Sequence, residues 1–178
     1  MACSLLRGLL ATCVLACAAG VRAETMTLRG RALDALNGQT VTVLGGDNIP
    51  HLVRLAGIDT PPKTEPWGAK AKKCLDDLVA REDVRVSWSR RSELGYPWGT
   101  VLVGRKDPAL ALLKAGLAWR CAQVPTPPAY AKAEAAAKAA KRGMWADAAV
   151  EVPDEAARHP QPPDAVTTAT PKSKNGKK

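Results

Sequence analysis

Histidine is scarce in this chain: its 178 residues hold two, His51 and His159. The five cysteines form no CxxC pair and no Cys/His cluster. These two absences argue against a zinc site, which needs several such ligands at close spacing. No apolar run is long enough to span a bilayer comfortably, which takes about 20 residues. No internal repeat is present.

The first 23 residues, MACSLLRGLLATCVLACAAGVRA, have one arginine near the start, an apolar run from Leu9 to Ala19 and then small residues. This is the pattern of an export signal cut after Val21-Arg22-Ala23, although a short buried helix is the competing reading. A second cut, before Cys17 in Val14-Leu15-Ala16-Cys17, would leave a lipid-modified cysteine, with the bulky Leu15 standing where a small residue is usual. The expectation is a periplasmic or secreted protein, with a Cys17 lipoprotein as the minor alternative and no membrane-spanning segment in the mature chain. Cys3, Cys13 and Cys17 leave with the signal. Cys74 and Cys121 then form one even pair in an oxidising compartment, where thiols tend to pair.

Lys and Arg number 26 against 17 Asp and Glu, a formal charge of +9. A basic balance suits anionic partners such as nucleic acid, lipid headgroups or acidic polysaccharide, but many exported basic proteins bind none of these.

Three regions follow from composition: a signal over residues 1–23, a patterned domain over 24–150 and a Pro/Lys-rich tail over 151–178. The tail carries Pro153, Pro160, Pro162, Pro163 and Pro171 and has four lysines among its last seven residues, too little apolar surface to offset chain entropy. Within the domain, residues 26–35, 39–44 and 51–55 alternate as a three-strand meander. Trp67, Ala71, Cys74, Leu75, Leu78 and Val79 share one face of a helix over 67–80. Val84, Val86 and Trp88 suggest a fourth strand and residues 100–103 a fifth. Asp107-Pro108 caps a helix ending near Gly116-Leu117, and a last helix over 129–142 stops at Gly143. The fold class expected is mixed α+β, a five-stranded OB-type barrel with three helices. Periodicity by itself leaves this as one arrangement among several.

The motifs narrow the choice. Val53-Arg54-Leu55-Ala56-Gly57-Ile58-Asp59-Thr60-Pro61 resembles the signature of the staphylococcal-nuclease family. Glu65-Pro66-Trp67-Gly68 with Ala71, the stretch ALLKAGLAW from Ala111 to Trp119, and Lys141-Arg142-Gly143-Met144-Trp145 are similar to later segments of the same family. The resemblance covers about 120 residues of the sequence, nearly the whole domain. It implies calcium-dependent hydrolysis of phosphodiesters in DNA and RNA. Two aspartates and a main-chain carbonyl would hold the cation, a glutamate would orient water, and two arginines would stabilise phosphate charge.

Residue by residue, the resemblance is incomplete. Gln39, in Asn37-Gly38-Gln39-Thr40, stands where the family has its first metal aspartate. Asp59 and Thr60 match the second pair of metal ligands, and Arg54 matches the first arginine. Pro62 occupies the glutamate position and Tyr96 the second arginine position, while Leu94 replaces a nucleotide-facing tyrosine. An Arg54–Asp59 contact would also serve as a plain structural ion pair. Glu65, Asp47 and Asp34 are the carboxylates that could substitute, and each reads better as a surface charge. The expectation is a catalytically inactive, monomeric binding module with an anionic or protein partner, weak nucleic-acid binding at most and no cofactor. The alternatives are a divergent calcium-dependent endonuclease and a nonspecific electrostatic binder of nucleic acid. In the family fold the segments of Cys74 and Cys121 pack close together, so the resemblance makes a Cys74–Cys121 disulfide plausible.

The signal pattern makes one direct prediction. N-terminal sequencing of protein recovered from outside the cytoplasm should begin at Glu24; a chain retaining Met1 to Ala23 would refute the cut.

Overall fold

A computed structural model describes residues 25–91, 95–121, 126–150 and 152. The chain opens with three strands, β1 (Met26–Asn37), β2 (Thr40–Gly45) and β3 (Pro50–Leu55), joined by tight turns. In β2 the β-branched Val41 and Val43 point inward and their neighbours outward, as period-two burial requires. The alternation in β1 is looser for a physical reason. Its register shifts between Ala32 and Asp34 and again between Ala35 and Asn37. These irregularities let Ala32 and Ala35, three positions apart, both enter the core.

A two-residue strand, β4 (Ile58–Asp59), leads into the proline loop and helix α1 (Pro66–Val79). Strands β5 (Asp83–Arg91) and β6 (Pro97–Val103) follow. Five strands close a barrel in the order β1-β2-β3-β6-β5, with β5 returning to β1. All pairs are antiparallel except β3–β6, which meets through Arg54 beside Trp98 and Leu55 beside Gly99. This is the expected mixed α+β barrel with three helices.

Helix α1 lays Gly68, Ala71, Leu75 and Val79 on the barrel, and its Asp76 accepts the Ala35 N–H at 2.8 Å. Helix α2 (Pro108–Ala115) starts where Asp107 accepts the Leu110 N–H at 3.2 Å. It ends at Gly116, whose left-handed φ of 70° suits glycine. Strand β7 (Trp119–Arg120) pairs with β4, a small second sheet that periodicity did not suggest. Helix α3 (Pro128–Ala139) turns Tyr130, Ala133, Glu134 and Ala137 inward. It stops before the expected 142. The Arg142 N–H reaches back to the Ala137 carbonyl and the Lys141 N–H to that of Lys138, at 2.9 and 3.0 Å. That closing motif puts Lys141 at φ 49°. Gly143 therefore opens a following 3₁₀ turn (Gly143–Ala146) rather than ending the helix. Leu55, Ile58, Leu75, Leu112, Leu113 and Met144 are fully buried, and such side chains contribute about 1.5–3 kcal/mol each.

The Cys74–Cys121 disulfide is not formed: Cys74 is a free thiol, half-buried on α1. Cys74 packs against the hydrophobic core. Cys121 is buried just past β7, where its N–H donates to the Gly57 carbonyl at 2.9 Å. Cys74 sits on α1, which packs mainly on β1 and α2, and Cys121 follows β7, which packs on β4 and α3. Burial, with Asp77 adding to it, pushes the Cys74 thiol above its ordinary pKa and favours the neutral form.

Two outcomes follow. A Cβ on Gly68 would fall on the Pro62 carbonyl oxygen, whereas one on Gly46 meets nothing within 4 Å. Gly68→Ala should lower stability by about 1–3 kcal/mol in denaturant unfolding, with Gly46→Ala close to neutral. Peptide mapping under non-reducing conditions should find no fragment linking Cys74 to Cys121, and alkylation of native Cys74 should be slow at neutral pH and accelerate as pH rises.

Candidate functional site

The site is built where the start of β2, the end of β3, β4 and the start of β6 converge. Thr40 pairs with Arg54 across β2–β3, and the Leu55 N–H donates to the Gln39 carbonyl at 2.7 Å. These backbone pairs place Gln39, Arg54 and the Asp59-Thr60 segment at one mouth of the barrel. Gly38 is required at the crossing. A Cβ there would lie 2.7 Å from the Ala71 Cβ and 2.8 Å from the Thr60 Oγ1.

Arg54 Nη2 donates to Asp59 Oδ1 at 3.4 Å, with the two side chains 33% and 14% exposed. The same Oδ1 accepts the Thr60 N–H at 3.0 Å, which fixes the carboxylate against its own backbone. Thr60 is buried. The Arg54 guanidinium also lies over the Trp98 ring, 5.1 Å from its centre, and Trp98 Nε1 donates to the Leu55 carbonyl at 3.2 Å. Gln39 Oε1 and Arg54 Nε are both buried without a hydrogen-bond partner among the described residues. Each such orphaned group costs about 1–3 kcal/mol unless something else meets it.

The sequence-predicted residues divide accordingly. Arg54 and Asp59 touch, with Thr60 bonded beside them, and Gln39 is tied to β3 through its backbone. Pro62 is exposed in the loop, its carbonyl accepting the Glu65 N–H at 2.9 Å. Tyr96 is 41% exposed, immediately before β6. Leu94 lies outside the described residues. The three carboxylates considered as substitutes sit elsewhere. Asp47 accepts from Ile49 N and meets His51 in the β2–β3 turn, where the Ile49 N–H is the main cause of its lowered pKa. Asp34 is exposed on β1, and Glu65 is exposed at the head of α1 with no side-chain capping bond. Trp98 is the residue that sequence reading missed. Its signal was available: it stands two positions after Tyr96, at the start of the strand that begins beside Arg54.

The GLAW stretch finds its role in this geometry. Asp59 pairs with Trp119 and Ile58 with Arg120. Buried Glu134 on α3 accepts the Arg120 N–H at 3.2 Å and lies 3.3 Å from Lys138 Nζ and 3.8 Å from Arg120 Nε. The C-terminal half thus holds the strand that presents Asp59.

Comparison with known proteins agrees with this arrangement. The family described as "Staphylococcal nuclease homologue" matches residues 52–147. A Haemophilus influenzae protein named "Uncharacterized endonuclease" is 34% identical over 117 residues, which is 66% of this chain and 66% of that protein. An Escherichia coli O157:H7 protein of the same name is 30% identical over 122 residues, 68% of this chain and 79% of the relative. A Shigella flexneri protein named "Micrococcal nuclease" is 28% identical over 134 residues, 65% of this chain and 77% of the relative. The closed barrel, the Arg54–Asp59-Thr60 constellation and the matched span lead to one assignment: this chain belongs to the staphylococcal nuclease homologue family.

Proposed function

We propose that this domain is a catalytically inactive member of its family, exported from the cytoplasm, that acts by binding a partner and carries no calcium. One observation carries the reading. Around the retained Arg54–Asp59 pair, the positions of the family's first metal aspartate, water-orienting glutamate and second arginine hold Gln39, Pro62 and Tyr96.

The fit to a metal ion is poor on chemical grounds. Calcium takes six to eight oxygen ligands, and its affinity follows the number of carboxylates. Asp59 is one carboxylate, and its Oδ1 already faces the Arg54 guanidinium at 3.4 Å. Gln39 brings a neutral amide oxygen. Pro62 has neither a proton acceptor nor a group to orient water. Tyr96 can offer one hydroxyl where an arginine would grip two phosphate oxygens. Groups that act as a unit in catalysis fail together, so three replacements leave little rate enhancement. What remains can attract an anion weakly: a guanidinium half-neutralised by its own carboxylate and backed by an indole ring.

A second reading is a divergent calcium-dependent endonuclease. It is favoured by the names of the relatives and by the retention of Arg54, Asp59 and Thr60.

A cleavage assay decides between them. The purified protein, incubated with double- and single-stranded DNA and calcium, should release no more product than a chelated control. The combined reversion Gln39→Asp, Pro62→Glu and Tyr96→Arg should create calcium-stimulated cleavage, because the scaffold holding Asp59 is intact. Wild-type cleavage that is lost with chelator and with Asp59→Ala would overturn the proposal.

A further inference from the structure

The outer face of the barrel along β1, β5 and β6 is built unlike the rest of the surface. Thr27 stands opposite Ser87, and Ser87 opposite Thr100. One step along the strands, Arg29 stands opposite Arg85, and Arg85 opposite Leu102. One step further, Arg31 stands opposite Asp83. Side chains directly opposite in antiparallel strands share a face, and successive same-face rows lie about 7 Å apart. Val84 and Val86 point into the core, so Arg85 between them points out. Arg29, Arg31 and Arg85 are all exposed. They line a shallow concavity of about 600 Å³ with Asp83, Leu44 and Leu102. None of Gln39, Arg54, Asp59 and Thr60 lines it.

The Arg29–Arg85 pair breaks a local rule. Like charges directly opposite across a sheet destabilise it. Among the described residues neither Arg29 nor Arg85 makes an ion pair. Arg31 has its Nε bonded to the Arg81 carbonyl at 3.1 Å and faces the one carboxylate of the patch, Asp83. The face therefore presents two uncompensated guanidinium groups beside a row of hydroxyls, on a rigid closed sheet. A feature that costs stability without an internal return is expected at a binding surface.

We propose that this face is a nucleic-acid interface, separate from the Arg54–Asp59 mouth, which takes the phosphodiester backbone of a duplex independently of base sequence. The guanidinium forks match phosphate oxygens two at a time, and the hydroxyl row adds neutral hydrogen-bond partners. Base stacking has no platform here, because Trp88 is turned into the barrel and is 8% exposed. Recognition is therefore electrostatic, with the steep salt dependence of counterion release. The inference is independent of the Arg54–Asp59 site.

The test is binding of the full chain to a labelled 20-base-pair duplex, in two unrelated sequences, with chelator present and at rising salt. Arg85→Glu should weaken both sequences by about tenfold or more at 0.1 M salt and flatten the logarithmic salt slope by about one unit or more. Lys132→Glu, the same charge change on the exposed face of α3, should have an effect several-fold smaller. The tail lysines Lys172, Lys174, Lys177 and Lys178 are present in every variant, so the difference belongs to the barrel face. Arg85→Glu should also raise the melting temperature, since it turns a repulsive cross-strand pair into an attractive one. Loss of binding together with gained stability excludes misfolding as the cause. Arg29→Glu reads the same pair from β1 and should behave alike. Equal weakening by Arg85→Glu and Lys132→Glu, unchanged duplex binding, or a fall in melting temperature in both arginine variants would overturn the proposal. So would Arg85-dependent binding of heparin or anionic phospholipid vesicles in place of the duplex.

Discussion

Two residue pairs, Ile58 with Arg120 and Asp59 with Trp119, join the halves of this molecule at the point where its family keeps its chemistry. The barrel by itself would leave the segment after β3 as a free loop carrying unsatisfied backbone groups. Strand β7 supplies the missing partners, and Cys121 extends the contact through the Gly57 carbonyl. Strand β7 is in turn fixed by buried Glu134 on α3, through the Arg120 N–H and the charges of Arg120 and Lys138. Helix α3 is held against α2 by the Tyr130 hydroxyl, which donates to Asp107 at 2.8 Å. Burial is the main cause that holds that phenol in its neutral, donating form. The position of Asp59 thus rests on a chain of contacts that runs through β7, α3 and the cap of α2.

On the proposed reading, the site so supported keeps its frame and changes its chemistry. Gly38 still lets β1 and β2 turn beneath Thr60, and Gly68 still lets α1 approach the proline loop closely. Those glycines serve packing, and packing does not depend on which side chains face the mouth. Gln39, Pro62 and Tyr96 alter only the groups that would meet a ligand. Such a domain retains its fold while the charge available for holding a cation falls, because stability and the mouth's electrostatics are carried by different atoms. Gln39 Oε1 and Arg54 Nε are buried at the mouth without a partner among the described residues.

The far side of the sheet raises a different electrostatic question. Arg29 and Arg85 come from strands 56 positions apart in sequence, and register alone sets them face to face. Exposed charges interact weakly through water and salt. The repulsion is therefore small enough for a closed barrel to tolerate, while an anion bridging both groups meets two donors whose backbones the sheet already holds side by side. Preorganisation of this kind lowers the ordering cost of binding.

The sequence by itself determined the five barrel strands and the three helices, the inward residues of β2 and β5, the Asp107 cap and the candidate groups Gln39, Arg54, Asp59 and Thr60. These are local properties: period-two and 3.6-residue burial, capping chemistry and the side chains themselves act within a few residues. It also carried the family, through the GIDTP and GLAW motifs. Only the tertiary structure decided what depends on long-range pairing. The bulges in β1 put two alanines inside at a spacing that no single period predicts. The backbone closure that ends α3 early rests on Lys141 adopting a left-handed conformation that lysine seldom takes. Trp98 became part of the site because β6 runs parallel to β3, a pairing that alternation along one strand cannot reveal. Cys74 and Cys121 looked like partners because they were the pair left over. The structure forms no bond between them: Cys74 sits on a helix packed mainly on β1 and α2, and Cys121 follows a strand packed on β4 and α3. Composition counts groups, whereas contact requires that the backbone bring them to the same surface.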